Sequence, residues 1–121
     1  MEKRKVEYET IDFLSKALAL RFKLNGRTFT HVIGVSRGGL LPAKIISYVL
    51  DAQLLTFGVS SYNGKNQTDD MIVTQDIDFD ALPEDSRILV VDDKVDTGNT
   101  INFMRKTIGD RFDYVRYAAI F

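Results

Sequence analysis

Three carboxylates and two hydroxyls crowd into the nine residues Asp92-Asp93-Lys94-Val95-Asp96-Thr97-Gly98-Asn99-Thr100. They follow directly on Ile88-Leu89-Val90-Val91, a continuous apolar run that reads as a buried strand. A strand of that kind delivers two adjacent carboxylates to its carboxyl end, with a third three residues later. Carboxylates there suit sugar hydroxyls, a divalent cation or a positive charge that develops during reaction. Thr97-Gly98-Asn99-Thr100 then turns into a helix, whose first N–H groups and positive dipole end favour a phosphate. A ligand with ribose on one side and phosphate on the other fits both halves. The plainer alternative is an acidic loop whose Asp and Thr only cap the next helix. Three Asp plus Thr-Gly-X-Thr, placed directly after an apolar strand, favour the binding site over the cap.

A second constellation follows an earlier apolar run: Val32-Ile33-Gly34-Val35 leads into Ser36-Arg37-Gly38-Gly39. The planar guanidinium of Arg37 can grip a pyrophosphate through two parallel hydrogen bonds. Taken alone, the four residues are equally a turn carrying a solvated arginine. Residues 61–70, Ser-Tyr-Asn-Gly-Lys-Asn-Gln-Thr-Asp-Asp, are polar and poor in apolar side chains. Such a loop suits a lid that closes over a reacting centre and excludes water, and by composition it suits a plain surface loop as well.

Other residues carry less. The single histidine, His31, opens a strand and reads as a core or surface residue. Asp76-Ile77-Asp78-Phe79-Asp80 starts like a calcium loop, but Ala81 stands where that loop needs Gly and Arg87 where it needs Glu. No P-loop and no Gly-X-Gly-X-X-Gly fingerprint occurs.

The elements that must position these groups alternate. Helical spacing of Ile11, Leu14, Leu18 and Phe22 predicts a helix over 11–24, with Thr10 as cap and Asn25-Gly26 as stop. A short strand over 30–35 leads to a helix over 40–50, with Pro42 in its first turn. Strands follow over 53–60 and 87–91, a helix over 99–108 and a strand over 114–121. Residues 71–75 are expected to pair back as a hairpin or extension, and 76–86 form an acidic connection. Apolar strands alternating with helices predict an α/β fold, a central parallel sheet flanked by helices. Ligands of such sheets bind beyond the carboxyl ends of the strands, where both constellations sit.

Composition sets the outer bounds. A chain of 121 residues suits one domain, and we expect a single domain over 1–121. The absence of cysteine excludes disulfide scaffolds and Cys-based zinc sites and points to the cytoplasm. A net charge of -1 argues against nucleic acid as partner. No apolar run approaches the ~18 residues of a membrane span, so no membrane partner is expected. Residues 1–5 are charged and lead into no apolar stretch, so a signal peptide is not expected either.

Together these motifs resemble a family. Ile88–Thr100 is similar to the phosphoribosyl-pyrophosphate (PRPP) signature of type I phosphoribosyltransferases, with a hydrophobic strand, two acids and Asp-Thr-Gly-X-Thr. Val35-Ser36-Arg37-Gly38-Gly39-Leu40-Leu41-Pro42 looks like the pyrophosphate loop of the xanthine-guanine enzymes, and Ser60-Ser61-Tyr62 like their lid, here about residues 60–76. The resemblance implies transfer of a 5-phosphoribosyl group from PRPP to a nucleobase, a purine such as guanine, xanthine or hypoxanthine, in a purine-salvage role. It implies Asp92 and Asp93 on the ribose hydroxyls, directly or through Mg²⁺, and Asp96 as the catalytic residue beside the base. Thr97, Gly98, Asn99 and Thr100 would cradle the 5′-phosphate, and Ser36, Arg37 and Gly38 the pyrophosphate. Ser61, Tyr62 and Lys65 would be the lid residues, and the family is commonly dimeric or tetrameric.

The sequence departs from the pattern at Lys94, where an apolar residue is usual, and at Asn99, where Gly is frequent. In the xanthine-guanine enzymes a lysine and a hood segment after the last strand read the base. The stretch ending Tyr117-Ala118-Ala119-Ile120-Phe121 carries neither, so a hoodless domain with activity in doubt is one expectation. A PRPP- or nucleotide-binding module without catalysis is therefore the alternative. An aspartyl-nucleophile phosphatase needs Asp-X-Asp-X-Thr, and the spacing of Asp92, Asp93 and Asp96 does not supply it.

Overall fold

The computed structural model describes residues 2–36, 38–61, 71–93 and 99–121, with the main chain alone at 2–4, 6 and 61. In chain order the elements are α1 (Glu2–Leu24), β1 (His31–Ser36), α2 (Leu40–Leu50), β2 (Gln53–Ser61) and β3 (Met71–Gln75). A 3₁₀ turn (Phe79–Ala81), β4 (Arg87–Asp92), α3 (Asn99–Ile108) and β5 (Tyr114–Ala119) complete them.

The five strands form one sheet in the order β3-β2-β1-β4-β5. β1, β2, β4 and β5 run parallel, and β3 returns antiparallel to β2 as the hairpin reading expected. Because successive strand side chains point to opposite faces, the apolar runs of β1 and β4 fill two layers at once. Ile33, Val35, Ile88 and Val90 point to the side of α3, where Met104, Ile108, Phe57 and Phe79 close the core. Val32, Leu89 and Val91 point to the other side, against Ala43 and Ile46 of α2 and Ala19 of α1. Each such side chain contributes about 1.5–3 kcal/mol by leaving water, so the two central strands anchor the fold.

α1 starts at Glu2, nine residues before the helix that periodicity predicts, and Thr10 lies inside it rather than capping it. Apolar spacing registers only the part of a helix that packs, here Leu18 and Phe22 over the α2 side of the core. Residues 2–10 continue the helix because most of them are Glu, Lys or Arg, which keep it at low cost once it is nucleated. Its end is as expected from Asn25-Gly26. Gly26 takes φ +70°, its N–H donates to Lys23 O at 3.0 Å, and Arg27 N–H donates to Phe22 O at 2.9 Å. That pair of bonds is a Schellman stop.

Two close approaches at glycine shape the sheet and its packing. A Cβ on Gly34 would lie 2.7 Å from Ala43 Cβ, so the bare backbone of β1 lets α2 lie flat on the sheet. Gly58 sits against Thr74 Oγ1 where the β2–β3 register shifts, and that bulge twists the hairpin. Among the described residues no helix is long and apolar enough to cross a membrane.

Candidate active site at the carboxyl ends of β1 and β4

The parallel register sets Gly34 beside Val91, so the residues that follow each strand leave the sheet side by side. Ser36 ends β1 half-buried, level with Gly58 of β2. Asp92 ends β4 and is 8% exposed, so its carboxylate has little water and depends on neighbours for hydrogen bonds. One is local: Asp92 Oδ1 accepts the N–H of Asp93 at 2.8 Å.

The chain beyond β5 fastens these two residues from the other side. Ile120 N–H donates to Asp92 O at 3.3 Å, and Phe121 N–H donates to Asp93 O at 2.8 Å. The main chain under both carboxylates is therefore held, which is what a site needs before it can orient charge. Backbone donors leave no trace in side-chain pattern, so nothing in the sequence singled out Ile120 or Phe121.

The two constellations touch. The half-buried Asp93 carboxylate occupies the space where a Cβ on Gly38 would stand. Gly39, next in line, is wedged between the strand ends. A Cβ there would meet Val91 O and lie 2.9 Å from Val35 O. Its N–H donates to Val35 O at 2.8 Å, and its carbonyl accepts Ala43 N–H at 3.0 Å, so it joins β1 to α2.

α3 opens at Asn99 and Thr100, both half-buried, with no acidic side chain in its first turn. The positive end of the helix is thus not neutralised from within that turn. Ser61 is the last residue of β2. Arg37, Tyr62, Lys65, Asp96, Thr97 and Gly98 lie outside the described residues.

His31 lies at the opposite end of β1 from Ser36, 8% exposed, with Nδ1 2.7 Å from Thr30 Oγ1. Burial pushes its pKa below the ordinary value. Among the described residues an open cleft of about 430 Å³ runs between residues 54–56 and 75–78 with Leu82, and none of the predicted site residues lines it.

Comparison with known proteins joins this geometry to a lineage. Residues 7–110 match the family described as the phosphoribosyl transferase domain. The chain belongs to that family. It is 39% identical over 104 residues to the xanthine-guanine phosphoribosyltransferase of Idiomarina loihiensis, covering 85% of this chain and 63% of that protein. Among solved structures, a purine phosphoribosyltransferase from Pyrococcus horikoshii superposes with a TM-score of 0.78 at 28% identity, over 93% of this chain and 73% of that one. A Neisseria gonorrhoeae protein with bound ppGpp reaches a TM-score of 0.74 at 26% identity, over 90% of this chain and 65% of that one. The chain thus spans less than two-thirds of the Idiomarina enzyme's length.

Proposed function

We propose that this phosphoribosyltransferase domain moves the 5-phosphoribosyl group of PRPP to a purine base and releases pyrophosphate. The observation that carries the reading is the contact between the two loops, Asp93 of the PRPP signature resting on Gly38 of the pyrophosphate loop. The bond from the anomeric carbon to pyrophosphate breaks, and a bond from that carbon to a ring nitrogen of the base forms. The nitrogen's proton leaves to a base, the role assigned to Asp96. Positive charge on the ribose ring in the transition state is met by the carboxylates at the end of β4.

In this reading Asp92 and Asp93 hold the ribose hydroxyls, and Thr97, Gly98, Asn99 and Thr100 take the 5′-phosphate at the start of α3. Ser36, Arg37 and Gly38 take the pyrophosphate, while Ser61, Tyr62 and Lys65 shield it from water. Two adjacent carboxylates are a donor set that Mg²⁺ accepts when substrate oxygens complete its shell. Among the described residues no group of three or more His, Cys, Asp or Glu gathers to hold a metal by itself. Bound there, Mg²⁺ would neutralise charge on the departing pyrophosphate. The cysteine-free chain fits a cytoplasmic enzyme.

We further infer a homodimer or homotetramer. Phe13 is 70% exposed and Leu24 86% on α1, with Tyr48 88% exposed on α2, which is more apolar surface than two neighbouring helices need leave in water. A monomer in light scattering at micromolar concentration would remove this part.

The test of the activity is incubation with PRPP, Mg²⁺ and a pool of bases, read by mass spectrometry. A purine nucleotide is expected, with its yield reduced at least ~100-fold by Asp92→Asn plus Asp93→Asn. Unchanged yield in that variant would refute the assignment. The second reading is a nucleotide-binding module without turnover, favoured by the ppGpp held by the Neisseria relative. Tight binding of ppGpp or PRPP with no product on any base would establish it instead.

A further inference from the structure

α1 carries two apolar faces, and the fold uses only one of them. Ser15 and Ala19 are fully buried, with Leu18 and Phe22 packed on the same core. Phe13, Ala17, Leu20 and Leu24 are exposed, and the three large side chains among them are each more than half in water. At 3.6 residues per turn these four lie about 150° around the helix from Ser15 and Ala19. Their spacing of four, three and four residues is the alternation of a helix–helix seam. Apolar side chains exposed singly need no partner, whereas a continuous stripe marks a contact surface.

Charge along the same helix is divided end to end. Glu7 and Glu9 flank the line of the stripe near the amino end, Arg21 and Lys23 flank it in the last turns, and all four are exposed. Among the described residues none of these four side chains is in an ion pair.

We propose that this stripe is the interface between two copies of the chain, their α1 helices packed antiparallel about a two-fold axis. The inference rests on the homo-oligomer inferred above and deepens it by naming the face, the direction and the register. The register is the one that sets Phe13 level with Ala17 of the second copy, a large side chain against a small one, twice by symmetry. That register brings Glu7 beside Arg21 and Glu9 beside Lys23 of the second copy, again twice each. Leu20 and Leu24 then cover positions 10 and 6. Lys16 meets its own copy across the axis, where its bond to Asp12 Oδ2 at 2.9 Å mutes the repulsion. A parallel pair would instead stack Phe13 on Phe13 and place Lys16 beside Arg21, like charge against like. Since the stripe faces away from the core, the two sheets lie on the outer sides of the helix pair.

The test is sedimentation equilibrium of the whole chain and its variants, with circular dichroism to confirm that each is folded. The parent is expected to associate at micromolar concentration, and Phe13→Ser to weaken association at least tenfold. Glu9→Lys and Lys23→Glu each set like charges together at two symmetric points, and each is expected to raise the dissociation constant about tenfold. Both changes in one chain reverse the pair and should restore association to within about twofold of the parent. Glu9→Lys with Lys106→Glu on α3 has the same net charge and is expected to stay weak. Positions 9 and 23 meet only in antiparallel copies, so the rescue reports direction as well as contact. Association indifferent to Phe13→Ser, or no recovery when Glu9→Lys and Lys23→Glu are combined, overturns this interface, while an oligomer through another face still satisfies the reading above. A parent chain that stays monomeric overturns both.

Discussion

Gly39 gives the sharpest quantitative test of how the site is built, because the usual reason for a glycine does not apply to it. Its backbone sits at φ −83° and ψ −6°, where any residue is comfortable. What excludes a side chain is steric. A Cβ would run into Val91 O and stand 2.9 Å from Val35 O and 3.0 Å from Val35 N, all backbone atoms of the two central strands. Those strands are fully packed, with Val91 0% and Val35 2% exposed, so neither can retreat without disturbing both core layers. Overpacking of this kind costs about 1–3 kcal/mol, and the rigid surroundings argue for about 3. The alanine recovers about 0.7 kcal/mol by restricting the unfolded chain. The net loss for Gly39→Ala is then roughly 2 kcal/mol, which at ~2.1 cal/mol/K per residue lowers the melting temperature of a domain this size by about 8 °C.

Thermal and urea unfolding followed by circular dichroism measure this directly. Gly26→Ala is the companion variant: nothing lies within 4 Å of its Cβ position, and its φ of +70° is the whole obstacle. It should lose about 1 kcal/mol for conformational reasons alone. If Gly39→Ala proves as stable as the parent, the strand ends yield readily and the wedge argument is wrong. The same result would weaken the view that the proposed pyrophosphate loop is held in place by the sheet.

Three further outcomes follow from the packing. Ser15 Oγ is buried without a hydrogen-bond partner among the described residues, so Ser15→Ala should stabilise the chain by about 1 kcal/mol in urea unfolding; destabilisation would mean the hydroxyl is satisfied. His31 is held neutral by burial, with a pKa below 6.5, whereas unfolding releases it to the ordinary value. The unfolded chain therefore binds the extra proton, and the stability linked to His31 is complete above about pH 6.5 and is lost as pH falls through the folded-state value. His31→Gln should flatten the fall in urea midpoint between roughly pH 7 and 5, and an unchanged slope would show that other groups cause it. Arg111 Nη1 donates to Thr107 O and Ile108 O, each at 3.1 Å, closing the end of α3, while its Nε meets Asp80 Oδ1 at 3.0 Å in the open. Arg111→Ala should cost about 1 kcal/mol and Asp80→Ala less than about 0.5, because exposed ion pairs contribute little. Equal losses would refute that ranking.

Much of this molecule is determined locally. Ile88–Val91 and Val32–Val35 are apolar on both sides because they are buried on both sides, so the sequence by itself identifies the central strands and the α/β class, and it points to the two strand ends proposed to carry the chemistry. The stop at Asn25-Gly26 is likewise local, since one left-handed residue ends a helix wherever it occurs. The full length of α1 escaped periodicity, because the sequence of residues 2–10 carries no apolar stripe at helical spacing. Other features exist only once the chain is folded. β1 and β4 are neighbours although fifty residues lie between them, and that adjacency brings Gly38 and Gly39 against Asp93 and Val91. The main-chain bonds from Ile120 and Phe121 to Asp92 and Asp93 depend on β5 lying beside β4. Pattern along a chain reports which face of an element is dry. Which elements share that dry face is decided by strand order and layer packing, and the meeting of the two loops was decided there.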